Sequence, residues 1–377
     1  MKLKPKITIA DHFAQMEDPR IDRTKRHKLI DILTIAICAV ICGADSWVAI
    51  ELYGCTKYEW LKTFLELPNG IPSHDTFARV FALINPQKFQ SCFGNWMKSI
   101  QKITSGEVVA IDGKTLCGSS NLNCDQSAIQ IVSAWATKNK LVLGQVKVDS
   151  QSNEITAIPE LLKVLDLAGC IVTIDAIGCQ KEIVKLITEQ SADYVITLKK
   201  NQGNLYDSVE SLFKTAISKG FEGIEHSTYK TEDKGHGREE IRHYLMLSEI
   251  QKQLDPESAW SNFNSVGMVE SVRKVDGKTE VETRYFISSI QGNAEKFGNS
   301  VRSHWGIENS LHWILDVALR EDDCRIRKDN APQNFAIIRQ IAVNLLGKEK
   351  RVKRGIKNKQ FLTAMDNDYL LRVLALA

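Results

Sequence analysis

"VVAIDGKTLCGSS" occupies residues 108–120. A β-branched apolar run ends on Asp112, and Gly113 and Lys114 follow. Alone, Asp112-Gly113 reads as the start of a turn. "IVTIDAIGCQ" repeats the context at Asp175, with a run of apolar residues and Thr, then an acid, then a small residue. Each acid is expected to end its strand. In open α/β sheets the carboxyl ends of strands are where ligands sit. Two neighbouring carboxylates repel unless a cation lies between them, and oxygen-only donors suit Mg²⁺ or Mn²⁺.

The surrounding sequence supplies the sheet. "VVAID", "IQIVSAWA", "LVLGQVKV", "IVTID" and "YVITL" read as five strands. Helical patterns lie in "IPELLKVLDLAG" and "CQKEIVKLITEQ", giving the order β-β-β-α-β-α-β over residues 101–205. Strands flanking a helical crossover run parallel. Residues 206–294 open with a helix, "LYDSVESLFKTAIS", and continue as alternating runs that read as an antiparallel sheet within the larger domain. From about 295 the chain is helical again. The reading is α/β in its middle and α+β overall.

Residues 1–100 read as helices. "KLIDILTIAICAVICGA" is apolar all round and should be the centre of its bundle. Its most apolar stretch, Ile32–Ala44, is too short to span a bilayer and is flanked by Asp31 and Asp45. In "GIPSHDTFARVFALI", Ser73 suits a helix N-cap, and Phe77, Val80, Phe81 and Ile84 mark one face. His74, Asp75 and Arg79 lie off that face. This arrangement suits either an ordinary bundle helix or a helix-turn-helix reading DNA. The net charge is only +3 over 377 residues. Two basic runs, Arg20–Lys28 and Lys348–Lys359, suit solvated surface singly and a polyanion partner together. Nine cysteines at irregular spacing complete no zinc pattern and read as reduced thiols.

"GKT" at 113–115 resembles a phosphate loop, but that motif needs a glycine at 108, where Val stands. No nucleotide cofactor is expected. In "SHWGIENSLHWILDV", His304, Glu308 and His312 recur every fourth residue along one helix face. One zinc ion would not easily reach both histidines. Glu308 facing a metal with the histidines flanking it is the better arrangement, and an amphipathic helix with incidental polar residues is the plainer one.

These motifs, with "SNEITAIPELL", "LKKNQG", "GHGREEIR", "ETRYFISS", "EDDCRIR" and "DPRIDRTKRHKLIDIL", resemble the insertion-sequence transposases that include the H-repeat-associated proteins. The resemblance spans nearly the whole chain. It implies a DDE transposase with a ribonuclease-H-like core, in which Asp112, Asp175 and Glu308 are the catalytic acids and bind two Mg²⁺ or Mn²⁺ ions. It implies a helical N-terminal DNA-binding domain (1–100), a catalytic domain (101–205 and 295–347), a β-rich insertion (206–294) and a basic C-terminal tail (348–377). Broader cut-and-paste relatives carry Tyr, Arg and Lys around the glutamate, whereas Val301, His304 and Leu315 stand here.

The expected partners are double-stranded DNA, as element terminal inverted repeats and as target, and a second copy of the chain on that DNA. No membrane partner is expected. Lys114, Lys199, Lys200, Arg238, Arg242, His304, His312, His74 and Arg79 are the candidate DNA contacts. The expected location is the bacterial cytoplasm, at the nucleoid when DNA is bound. Two alternatives share the same residues: a metal-dependent nuclease that cuts without joining, and a DNA-binding protein whose catalysis has lapsed.

Overall fold

Strand β1 (Val108–Leu116) feeds two cores, because successive side chains leave opposite faces. Val109 and Ile111 enter one core, while Val108 and Ala110 enter packing on the other side. The structure is a computed structural model that describes residues 9–100, 105–120, 127–149, 152–235, 237–275 and 278–375.

Eight further strands join β1 among the described residues: β2 (Ile129–Ala136), β3 (Leu141–Lys147), β4 (Ile171–Ile174), β5 (Asp193–Leu198), β6 (His226–Gly235), β7 (Arg238–Ser248), β8 (Ser265–Val275) and β9 (Lys278–Ser288). They form one mixed sheet in the order β3-β2-β1-β4-β5-β9-β8-β7-β6. β1 is antiparallel to β2 and parallel to β4, and β4 is parallel to β5. The four strands after residue 206 are antiparallel, as their alternation predicts. They do not form a sheet of their own. β9 pairs antiparallel with β5 from Val195↔Ser288 to Leu198↔Tyr285. That pairing occupies the backbone groups that a β5 edge would otherwise leave open.

Helices α1 (Ile9–Phe13), α2 (Leu29–Ile41), α3 (Trp47–Thr56), α4 (Tyr58–Leu61), α5 (His74–Leu83) and α6 (Pro86–Ile100) precede the sheet. Helices α7 (Glu154–Val164), α8 (Lys181–Glu189) and α9 (Gly203–Ser218) pack on the face that receives Val109 and Ile111. After α10 (Gln251–Leu254) and β9 come α11 (Ala294–His304), a π-helical turn (Ile307–His312), α12 (Trp313–Val317) and α13 (Ala331–Lys348). α14 (Ile356–Met365) and α15 (Asn367–Leu374) end the described chain.

α13 ties the N-terminal helices to the sheet. Phe335, Ile338 and Ile341 share one core with Ile32, Phe77 and Trp135. Its buried amides carry the backbone bonds of that contact. Asn344 accepts from Val142 N at 2.8 Å and donates to Val142 O at 2.8 Å, where the β2–β3 register shifts. Asn334 donates to Phe81 O at 2.8 Å and Ile84 O at 3.0 Å, satisfying carbonyls at the end of α5. α2 is buried along nearly its whole length, as its all-round apolar sequence predicts. No described helix is long and apolar enough to cross a membrane. The eight described cysteines are free, and Cys124 lies outside the described residues.

The reading of 348–377 as a tail is corrected by α14 and α15. Tyr369, Leu370 and Val373 are buried in the same core as α2 and α13. Tyr369 donates its hydroxyl to Glu349 Oε2 at 3.0 Å. Lys359, part of the basic run, is itself buried and donates to Leu346 O at 2.9 Å. The abundance of Lys and Arg hides a short amphipathic pattern whose apolar face is completed only by distant helices.

Leu370→Ala should therefore destabilise the protein by about 2–5 kcal/mol, the usual cost of such a cavity. Phe361→Ala, at a side chain 65% exposed on α14, should change stability by less than about 0.5 kcal/mol. Urea unfolding of both variants tests this, and equal small effects would contradict the packed C-terminus.

Candidate active site

The β1–β4 ladder stops at Ile111↔Ile174. The next residues are Asp112 and Asp175, so the two acids flank the point where the parallel strands part. Parity puts them on the same face. Asp112 follows Val108 and Ala110, and Asp175 follows Ile171 and Thr173. Asp112 does not end its strand, contrary to the sequence expectation. β1 continues to Leu116 because β2 still supplies partners, with Asp112 opposite Ser133. Asp175 does end β4, and its side chain also accepts from Ile177 N at 3.0 Å across a 3₁₀ turn. The cap and the candidate ligand are the same residue.

Glu308 comes from the π-helical turn that follows α11. A π-turn inserts a residue into the helical ladder and recurs at functional sites. It breaks the simple helix on which the four-residue spacing of His304, Glu308 and His312 rests. Asp112, Asp175, Glu308, His304 and Lys199 line one cleft of about 330 Å³.

Burial pushes the Asp112 carboxyl up to about 7, with the negative charges of Glu308, Asp175 and Glu154 adding to the effect. His304 accepts or shares a hydrogen bond with the Thr173 hydroxyl at 3.1 Å, and burial lowers its proton affinity. His312 Nδ1 lies 3.8 Å from Asp112 Oδ2. Burial lowers His312 to about 4, with the Lys114 charge contributing. At neutral pH this contact therefore joins a neutral imidazole to the acid, not two opposite charges.

The donor chemistry suits a hard divalent cation: carboxylate oxygens from three elements line a partly buried cleft. One of them has its proton affinity raised by burial, and further by the negative charge of its neighbours. Among the described residues, no group of three or more His, Cys, Asp or Glu side chains is already closed around a common point. The side chains would have to draw together on an ion.

The candidate DNA contacts separate. Lys199 and Lys200 are exposed just past β5, and Lys199 borders the acid cleft. Lys114 is withdrawn: its ammonium makes ion pairs with Asp316 at 2.7 Å, Asp322 at 2.8 Å and Glu321 at 3.4 Å. Arg242 is also withdrawn, with 2.7 Å contacts to both Asp233 and Glu240. Arg238 is exposed, 3.1 Å from Glu240. Both arginines line a neighbouring cleft that shares Arg284 and Trp305 with the acid cleft. His304 lines the acid cleft, and His312 lies against Asp112. His74 and Arg79 are exposed on α5, where His74 contacts Glu51 at 2.6 Å and is raised by that hydrogen bond. Neither lines the acid cleft.

The sequence reading missed Glu154, the first residue of α7. A Cβ at Gly113 would lie 2.0 Å from its Oε1. Glycine there lets the carboxylate lie against the strand, on the face opposite Asp112. The signal was present in "SNEITAIPELL", but only tertiary packing connects it to Gly113.

A mixed α/β protein with Asp112, Asp175 and Glu308 along one cleft is the class that this fold and site define. The family model described as "Transposase DDE domain" matches residues 103–345, and one described as "DDE_Tnp_1-associated" matches residues 10–97. A protein of Escherichia coli K12 named "H repeat-associated putative transposase YhhI" is 43% identical over 97% of each chain. One of Escherichia coli O157:H7 named "Putative transposase YncI" is 41% identical over 98% of this chain and 94% of its own. The chain belongs to the DDE-domain transposase family, in the group of the H-repeat-associated proteins.

A carboxyl whose affinity for protons is raised in the fold contributes stability below its unfolded value of 3.8, and that contribution is lost as pH rises through about 7. Asp112→Asn should therefore raise the unfolding temperature of the metal-free protein above pH 7. The gain, of the order of a few kcal/mol at most, should shrink toward pH 4. Thermal unfolding across pH checks it, and a variant less stable than wild type at pH 8 would contradict the crowding of charge.

Proposed function

We propose that this chain cuts DNA at the ends of an insertion element and joins those ends to target DNA. β1–β5 with the flanking helices would form its ribonuclease-H-like core, and β6–β9 its insertion. The observation that carries the reading is the convergence of Asp112, Asp175 and Glu308 on one cleft from three separate elements. Membership of the transposase family supports the same reading.

Asp112, Asp175 and Glu308 would hold two Mg²⁺ or Mn²⁺ ions. When bound, such ions supply neutralisation of the attacked phosphate and stabilise both entering and leaving oxygens. The chain's own groups position the reactants. The three carboxylates fix where the scissile phosphate sits. Lys199, at the border of the cleft, adds an exposed cation within reach of a phosphate oxygen. His304 and His312 stay neutral at physiological pH, so neither competes as a cation for the acids.

In the first step a water oxygen bonds to phosphorus while the bond to the 3′ oxygen breaks. The water loses a proton and the 3′ oxygen gains one, leaving a 3′-hydroxyl and a 5′-phosphate. In the second, that 3′-hydroxyl attacks a target phosphodiester and displaces the target's own 3′ oxygen. Positioning and electrostatics carry both steps, with no covalent enzyme intermediate. The partners are double-stranded DNA and a second copy of the chain, with the N-terminal helices reading the element ends. The bacterial cytoplasm is the proposed setting.

Alanine at Asp112, Asp175 or Glu308 should reduce nicking of a labelled element end by about a hundred- to a thousandfold, as loss of a central electrostatic group does. Binding to that end should survive or tighten, because a negative charge facing phosphate has gone. Wild-type nicking by any one variant would sink the assignment. EDTA should abolish nicking and Mn²⁺ restore it. A joining assay with precut ends separates this function from a nuclease that only cuts.

A further inference from the structure

Lys114 follows Asp112 by two residues, so it leaves the same face of β1. Its side chain is 12% exposed, and its ammonium lies within 3.4 Å of Asp316, Glu321 and Asp322. All three acids belong to the stretch that leaves the Glu308 turn. Asp316 is in α12, and Glu321 and Asp322 are in the turn after it. Glu321 is only 3% exposed and reaches Arg339 of α13 at 3.9 Å. Lys114 is the cation common to all three carboxylates, and Arg339 reaches Glu321. Without Lys114 the three acids would face one another.

The backbones confirm that these stretches are in contact. A Cβ at Gly118 would lie 2.1 Å from Cys324 O and 2.8 Å from Asp322 O. Arg327 donates Nε to Gly118 O at 3.1 Å. "DGKTLCG" and "EDDCRIR" are the two sides of one strut. Asp112 and Glu308 lie far apart in sequence, and the whole β6–β9 region is inserted between them. Their separation in space needs a direct tie, and the Lys114 cluster lies at the point where the two elements meet.

We propose that Lys114 is a positioning residue that sets Glu308 against Asp112 by clamping the Asp316–Asp322 stretch onto β1. It does not contact DNA. The importance of this clamp for cutting rests on the proposed role of the three acids, but the clamp itself can be read without DNA or metal.

Amide hydrogen exchange on the metal-free full-length protein tests it. Lys114→Met should speed exchange across residues 307–317 at least tenfold, with β4 and β5 unchanged, and Lys114→Arg should restore most of the protection. Asp322→Asn, at a partly exposed partner, should give a weaker change of the same kind and serves if Lys114→Met fails to fold. Unchanged exchange at 307–317 in both Lys114→Met and Asp322→Asn would overturn the clamp. So would a Lys114→Met protein whose DNA affinity loses one unit of salt dependence while cutting of saturated DNA stays at the wild-type rate, the behaviour of a phosphate contact. If exchange rises as expected but Asp112→Ala still nicks, the clamp stands and the role of the acids falls.

Discussion

The burial of Asp112 beside other carboxylates is the constraint on which the site depends. Asp112, Asp175 and Glu308 line one partly buried cleft, where burial, and after it like charge, push Asp112 up to about 7. A fold does not gather such groups for its own stability. It holds them by other means. β1 runs on past Asp112 along β2, anchoring that acid in mid-strand. Asp175 is fixed by its own bond to Ile177 N. Glu308 sits on a π-turn whose downstream stretch is gripped by Lys114. Each acid is therefore secured by an interaction that does not involve the other two.

The same need for anchorage explains the helical half. Phe335, Ile338 and Ile341 of α13 place the N-terminal helices and the sheet in one core. Arg339 of the same helix reaches Glu321, within the Lys114 cluster. Helices that the sequence suggests as a separate DNA-binding unit are thus packed against the element that supports the acid site. α14 and α15 close that core from the other end of the chain.

Local patterns carried much of this architecture. β-branched runs marked β1–β5, and the all-apolar segment marked α2. Alternation marked β6–β9 as antiparallel. The matched settings of Asp112 and Asp175 pointed to one place because both the strand period and the crossover rule are short-range. What sequence reading missed depends on pairings between distant residues. Lys114 and Arg242 look like free cations until Asp316, Glu321, Asp322, Asp233 and Glu240 are seen around them. Glu154 belongs to the charge field only because Gly113 leaves room for it. The joining of β9 to β5 and the burial of Leu370 likewise have no local signature.

In the proposed function, Asp112, Asp175 and Glu308 act as one divalent-metal site. Anomalous diffraction from crystals soaked in Mn²⁺ tests it most directly. A manganese peak is expected within about 2.0–2.6 Å of oxygens from all three side chains, lost in Asp112→Asn crystals soaked in the same way. Manganese bound elsewhere, or a cleft that stays empty of manganese while the three carboxylates remain apart, would contradict it.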